Sequence, residues 1–134
     1  MVTQKDADQL LEKLIPILRL QNWEIELTIQ TDRQYQKQHG KDFAFDTHGC
    51  TEMHEQADIA HIYLKDSLTD EEMRETLLHE CVHLMTHRYD THVRKVVSLL
   101  DSKKLQRTLG DEGMWEMEIN VSRITTILKC LGVI

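Results

Sequence analysis

Leucine and isoleucine recur at three- and four-residue spacing near the start of the chain, at Leu10, Leu11, Leu14, Ile17 and Leu18. That is the apolar stripe of an amphipathic helix. Pro16 falls inside the stripe and lacks the amide that a helix interior needs, so a kink or break is expected near Ile15. The period then shortens. Trp23, Ile25, Leu27 and Ile29 alternate with Glu24, Glu26 and Thr28, the pattern of a half-buried strand. Positions 32–40 are polar and read as a loop. Phe43, Ala44 and Phe45 read as a short strand, and positions 46–58, with Gly49, as a turn or long hairpin loop. Alternation returns at positions 59–64. It sets Ala60, Ile62 and Leu64 on one face of a strand and Ile59, His61 and Tyr63 on the other.

The second half of the chain has helical period. Thr69 and Glu72 form a capping box, since each side chain can satisfy the other's unpaired amide, and the acidic Asp70-Glu71-Glu72 turn suits the helix dipole. A helix is expected from there through Met73, Leu77, Leu78, Val82 and Leu84 to about His87. A second is expected over positions 91–109, on Val93, Val96, Val97 and Leu100, with a possible break at Asp101-Ser102 and Gly110 as its cap. A last helix is expected over positions 112–131, stopped by Gly132. The order of helix, strands, then helices predicts an α+β domain: a small, mostly antiparallel sheet packed against the helix at positions 70–87 and further helices. The 134 residues fit one domain, positions 1–134.

That capped helix carries His79-Glu80-Cys81-Val82-His83. Residues four apart lie one above the other on a helix, so both imidazoles can reach one ion, at about 2.0–2.1 Å for zinc. Glu80, one residue after the first histidine, can reach a water polarised by the metal without itself ligating. A carboxylate there takes the proton as water attacks a carbonyl and returns it to the leaving amine. The pattern therefore predicts Zn2+ as cofactor, His79 and His83 as ligands and Glu80 as catalytic base.

Catalytic zinc needs a third protein ligand and one open position. Candidates are Glu116, Glu118, His87, Asp90 and His92. His87 extends the run by another turn, but a straight helix carries it about 12 Å along the axis from His79, too far to share the ion. On the last helix Met117, Val121, Ile124 and Leu128 define the buried stripe. Glu116 lies on the flank of Asn120 and Ile127, and Glu118 on the more polar flank of Ser122, Thr125 and Lys129. An inward carboxylate favours Glu116 over Glu118, with Asn120 placed to hydrogen-bond a ligand from behind. Tyr63, His61, Tyr89 and His92 are candidates to stabilise an oxyanion, with no spacing that selects one. Cys81 reads as a small buried thiol. His48, Cys50 and His54 read as part of a polar loop, or alternatively as a second metal site or a plug over the first.

With these residues placed, the chain resembles the gluzincin type of zinc peptidase, in which H-E-x-x-H is followed by a ligand glutamate on a separate helix. Glu116-Met117-Glu118-Ile119-Asn120 is similar to the E-x-x-A-N stretch of the ImmA/IrrE family, with Ile119 in place of its alanine, and to the E-x-x-x-D of thermolysin-like enzymes, with Asn120 in place of the aspartate. The chain also resembles the minimal zincin-like proteins of phage and prophage and the minigluzincins. The resemblance implies a zincin-like fold and a peptidase acting on a protein or peptide. It also implies that the strand at positions 59–64 is the sheet edge beside the cleft, where an extended peptide adds as a further strand. The alternative is a zinc-stabilised regulatory or binding module without turnover.

Composition narrows the partners. A net charge of −7 argues against a nucleic-acid binder and against anchoring on an anionic membrane. The polar start at Met1-Val2-Thr3-Gln4 and the lack of a long apolar run predict neither an export signal nor a membrane span. Three cysteines, Cys50, Cys81 and Cys130, form no framework and read as free thiols of a reducing, cytoplasmic compartment.

Overall fold

The computed structural model describes residues 1–40, 48–54, 56–98 and 103–134, with side chains inside the two long helices described as far as His87, at Lys103 and from Met117 onward. The first helix, α1, spans Gln4–Ile17. Thr3 and Asp6 close a capping box at its start, a signal the apolar stripe does not contain. The expected break near Ile15 does not occur. Pro16 sits in the last turn, the helix ends one residue later, and Leu18 and Leu20 donate to the carbonyls of Leu14 and Ile15. A proline so close to the end removes one hydrogen bond where the ladder is stopping anyway.

Strand β1, Glu24–Gln30, follows the predicted alternation. The stretch read as a loop is instead helix α2, Asp32–His39. Thr31 and Gln34 form its capping box, and Tyr35 and His39, four apart, are its buried residues. Its inner face is aromatic and polar, so it has no aliphatic stripe to read. The stretch read as a hairpin loop contains strand β2, Gly49–His54. The expected strand at Phe43-Ala44-Phe45 lies outside the described residues.

Strand β3, Ile59–Lys65, buries Ala60, Ile62 and Leu64 as expected. It is not an edge. The strand order is β1-β3-β2, with β1 parallel and β2 antiparallel to β3, so β3 is central and the sheet is mixed, not mostly antiparallel. On the outer side of β1, the Gln4 amide donates to Leu27 O at 2.7 Å and accepts from Ile29 N at 3.0 Å.

Helix α3 runs unbroken over Asp70–Ser98, where two helices were expected, and starts at the predicted Thr69–Glu72 capping box. Helix α4 spans Lys103–Cys130 and continues through Gly110, the expected cap. The expected break at Asp101-Ser102 lies outside the described residues. Gly132, at φ +77°, ends α4 as predicted: its amide reaches Lys129 O and that of Val133 reaches Leu128 O, the paired bonds of a Schellman turn.

The core lies between one sheet face and helices α1 and α3. Leu14, Ala60, Ile62, Leu64, Met73, Leu77, Leu78 and Val82 are buried there, joined by Val121 of α4. Tyr35 and His39 of α2 cover the opposite face, where the His39 ring stands 4.6 Å from that of Tyr63. No helix among the described residues is long and apolar enough to cross a membrane. Cys50 and Cys81 are buried thiols, Cys130 is an exposed one, and none is in a disulfide.

Strand β2 lies unusually close to α3. A Cβ added at Gly49 would come within 2.7 Å of Leu64 Cδ2, 2.8 Å of Thr76 Cγ2 and 2.9 Å of the Tyr63 carbonyl oxygen. The carbonyl belongs to the sheet itself and cannot step aside. Gly49→Ala is therefore expected to destabilise by about 1–3 kcal/mol, read as a fall in the urea midpoint at unchanged slope.

Candidate metal centre

Helix α3 brings its apolar stripe, Met73, Leu77, Leu78, Val82 and Leu84, onto the sheet. The same winding leaves His79 and His83 half-buried on a flank that faces α4. Their rings stand 4.9 Å apart at 76°. The Nε2 atoms of both point at one carboxylate on α4: His79 Nε2 is 3.6 Å from Glu118 Oε2, and His83 Nε2 is 3.2 Å from Glu118 Oε1. Ligand atoms of the three residues lie within 4.8 Å of one another, and this is the one such set of three among the described residues.

The polarity of the two helix flanks favours Glu116 over Glu118. The structure brings Glu118 to the histidines; Glu116 is a helical residue of α4 whose side chain lies outside those described. Burial explains the placement of Glu118. Val121 is the fully buried residue of the described part of α4. Glu118 precedes it by three positions and so shares its side of the helix. Asn120, expected behind a ligand, is exposed and makes no hydrogen bond to either histidine among the described residues.

Hydrogen bonds from His79 and then His83 hold the Glu118 carboxyl well below the usual carboxylate range, against the opposing effect of partial burial. Glu118 is therefore an anion at neutral pH, with its carboxylate turned toward both histidines.

Glu80 lies on the core side, 5% exposed. Thr51 of β2 donates to its Oε2 at 2.6 Å. Cys81 is fully buried; its surroundings, and secondarily the charge of Glu80, push its thiol up to about 12. A thiol that stays protonated is neither a nucleophile nor a ligand, which agrees with its reading as a packing residue.

The remaining candidates lie apart from this cluster. The His87 ring packs edge-on against Trp23 at 5.5 Å. His61 Nδ1 is 3.0 Å from Glu26 Oε2, and its ring meets that of His54 at 5.6 Å, on the sheet face away from α3. Cys50 Sγ is 3.4 Å from Nδ1 of the buried His39, and Gln30 Oε1 is 3.1 Å from the other ring nitrogen. His48, Cys50 and His54 thus form no set of ligands among the described residues. The side chains of Tyr89, Asp90 and His92 lie outside those described. Sequence reasoning missed Thr51 altogether: its contact with Glu80 spans 29 positions and joins a strand read as loop to a helix, so no local pattern announces it.

No protein-family model matches the chain, and neither does any curated protein or solved structure.

Proposed function

We propose that the chain is a zinc-dependent peptidase of the minimal gluzincin type, with His79, His83 and Glu118 as metal ligands and Glu80 as general base. The supporting observation is convergence: Nε2 of two histidines one turn apart on α3 and the carboxylate of Glu118 on α4 face a common point. Two imidazoles and one carboxylate fit zinc. The three ligands found among the described residues leave a fourth position open, as a catalytic rather than a structural site does.

Bound zinc supplies Lewis acidity, polarising a carbonyl and making water acidic near neutral pH. The side chains supply the rest. His79 and His83 offer ring nitrogens from one rigid helix, so their spacing is set by the backbone. Glu118 offers negative charge that is ionised before the metal arrives. Glu80 holds a carboxylate away from bulk water, where its charge is little screened. It accepts the proton released as water attacks the scissile carbonyl and hands it to the leaving amine. The substrate class is a protein or peptide, the bond class on which this constellation works.

A zinc-stabilised binding module without turnover has one observation in its favour. Glu80 is buried and accepts from Thr51, as a satisfied core carboxylate would be. Elemental analysis together with a randomised library of internally quenched peptides separates the two. One zinc per chain and cleavage that a chelator stops support the peptidase. One zinc, a melting temperature lowered by chelation and no cleaved peptide support the module. A chain purified without zinc, and unable to take it up, overturns both.

A further inference from the structure

We infer that Thr51 is a positioning residue for Glu80, holding the base in a fixed orientation from the neighbouring strand. The kinetic consequence rests on the peptidase reading; the geometric one does not. Three features of the molecule carry the inference.

The first is the bond itself. The Thr51 hydroxyl donates to Glu80 Oε2 at 2.6 Å, in the short range typical of a hydroxyl on a carboxylate. Glu80 is 5% exposed, so water competes little for that oxygen. In such surroundings a hydrogen bond to an ionised group orients as well as stabilises.

The second is the need for it. The last torsion of a glutamate side chain is broad and two-fold, so the helix fixes where Glu80 starts but not how its carboxylate plane lies. A base must be held within about half an ångström of its productive position to be effective. Threonine suits the holding role because its branched Cβ restricts its own first torsion.

The third is the way the donor is delivered. Thr51 is brought to Glu80 by the close approach of β2 to α3 at Gly49, where any Cβ would meet Thr76 and the backbone of β3. Thr76 precedes Glu80 by four positions and so lies on the same face of α3. Gly49 and Thr51, two apart on β2, likewise share a face of the strand. Gly49 sets the spacing between strand and helix, and Thr51 uses it to reach the carboxylate.

Thr51→Val keeps the shape and removes the hydroxyl; Thr51→Ser keeps the hydroxyl. Both are to be measured beside wild type and Glu80→Gln for zinc content, for kcat and KM on a peptide selected from the library, and by crystallography of the zinc-loaded chains. In Thr51→Val we expect one zinc per chain, a kcat lowered about 10–100-fold with KM little changed, and a Glu80 carboxylate displaced from its present position. Thr51→Ser should restore most of kcat. A wild-type kcat in Thr51→Val overturns the inference, as does a serine variant no better than the valine one. If Glu80→Gln hydrolyses as fast as wild type, or wild type cleaves nothing, the peptidase reading has failed. The crystal structure then decides alone: an unmoved Glu80 in Thr51→Val overturns the positioning role, and a displaced one supports it.

Discussion

Replacing Glu80 by glutamine is expected to lower peptide hydrolysis by about 10²–10⁴-fold, the usual worth of a positioned general base, while one zinc stays bound. The substitution is close to isosteric. The amide oxygen of the new side chain can still accept from the Thr51 hydroxyl, so the contact between β2 and α3 survives. What is lost is a group able to take a proton. The variant keeps the size of the side chain and the bond from Thr51, so the fold should survive the change. The measurement is therefore paired: hydrolysis falls, and zinc content and folding are retained. Equal hydrolysis by the variant and wild type would remove Glu80 from the chemistry.

Removing the metal, or one of its ligands, is expected to have the second large effect. Zinc that binds only the folded chain, at a free concentration about a thousandfold above its dissociation constant, stabilises by about 4 kcal/mol, or roughly 10 °C or more in Tm for a chain of this length. Chelation should reverse that shift and readdition of zinc restore it. His83→Ala should abolish the zinc-dependent part of Tm, so that chelator and added zinc no longer move the midpoint. Glu118→Gln should weaken zinc binding, and Glu116→Gln should leave it as it is. The reverse order would return the third ligand to Glu116 and separate the metal centre from the geometry at Glu118.

The parts of this molecule legible in its sequence are those built from aliphatic periodicity and local caps. Ala60, Ile62 and Leu64 alternate because the central strand packs on helices, and Thr69 with Glu72 caps α3 within four residues. Both signals are contained in a short window. Helix α2 is hidden because Tyr35 and His39 bury rings, not aliphatic chains, and strand β2 because much of its length is polar. The strand order was not legible either: alternation says that β3 is half-buried but not that it lies between β1 and β2. At the candidate metal centre, the two histidines and Glu80 share one turn of helix and could be read directly. The carboxylate that faces the histidines could not be read in the same way. Glu116 and Glu118 are two positions, about 200°, apart and fall symmetrically on either flank of the apolar stripe. The polarity of the flanks favoured Glu116, whereas the packing of α4 against α3 brings Glu118 to the histidines. That packing is a relation between two helices, which a wheel drawn for one of them does not contain.

The two hydrogen bonds from the Gln4 side chain to Leu27 and Ile29 have a consequence for how the chain behaves in concentrated solution. The carboxamide matches a peptide group in shape and polarity, and it occupies backbone positions of β1 that a strand from another molecule would seek. An uncovered outer strand with Ile25, Leu27 and Ile29 along one face is a template for self-association. The start of α1 thus acts as a guard on that border. Replacing Gln4 alone by alanine would uncover that border without touching the Thr3 cap, the histidines or Glu118, and its expected cost is in solubility.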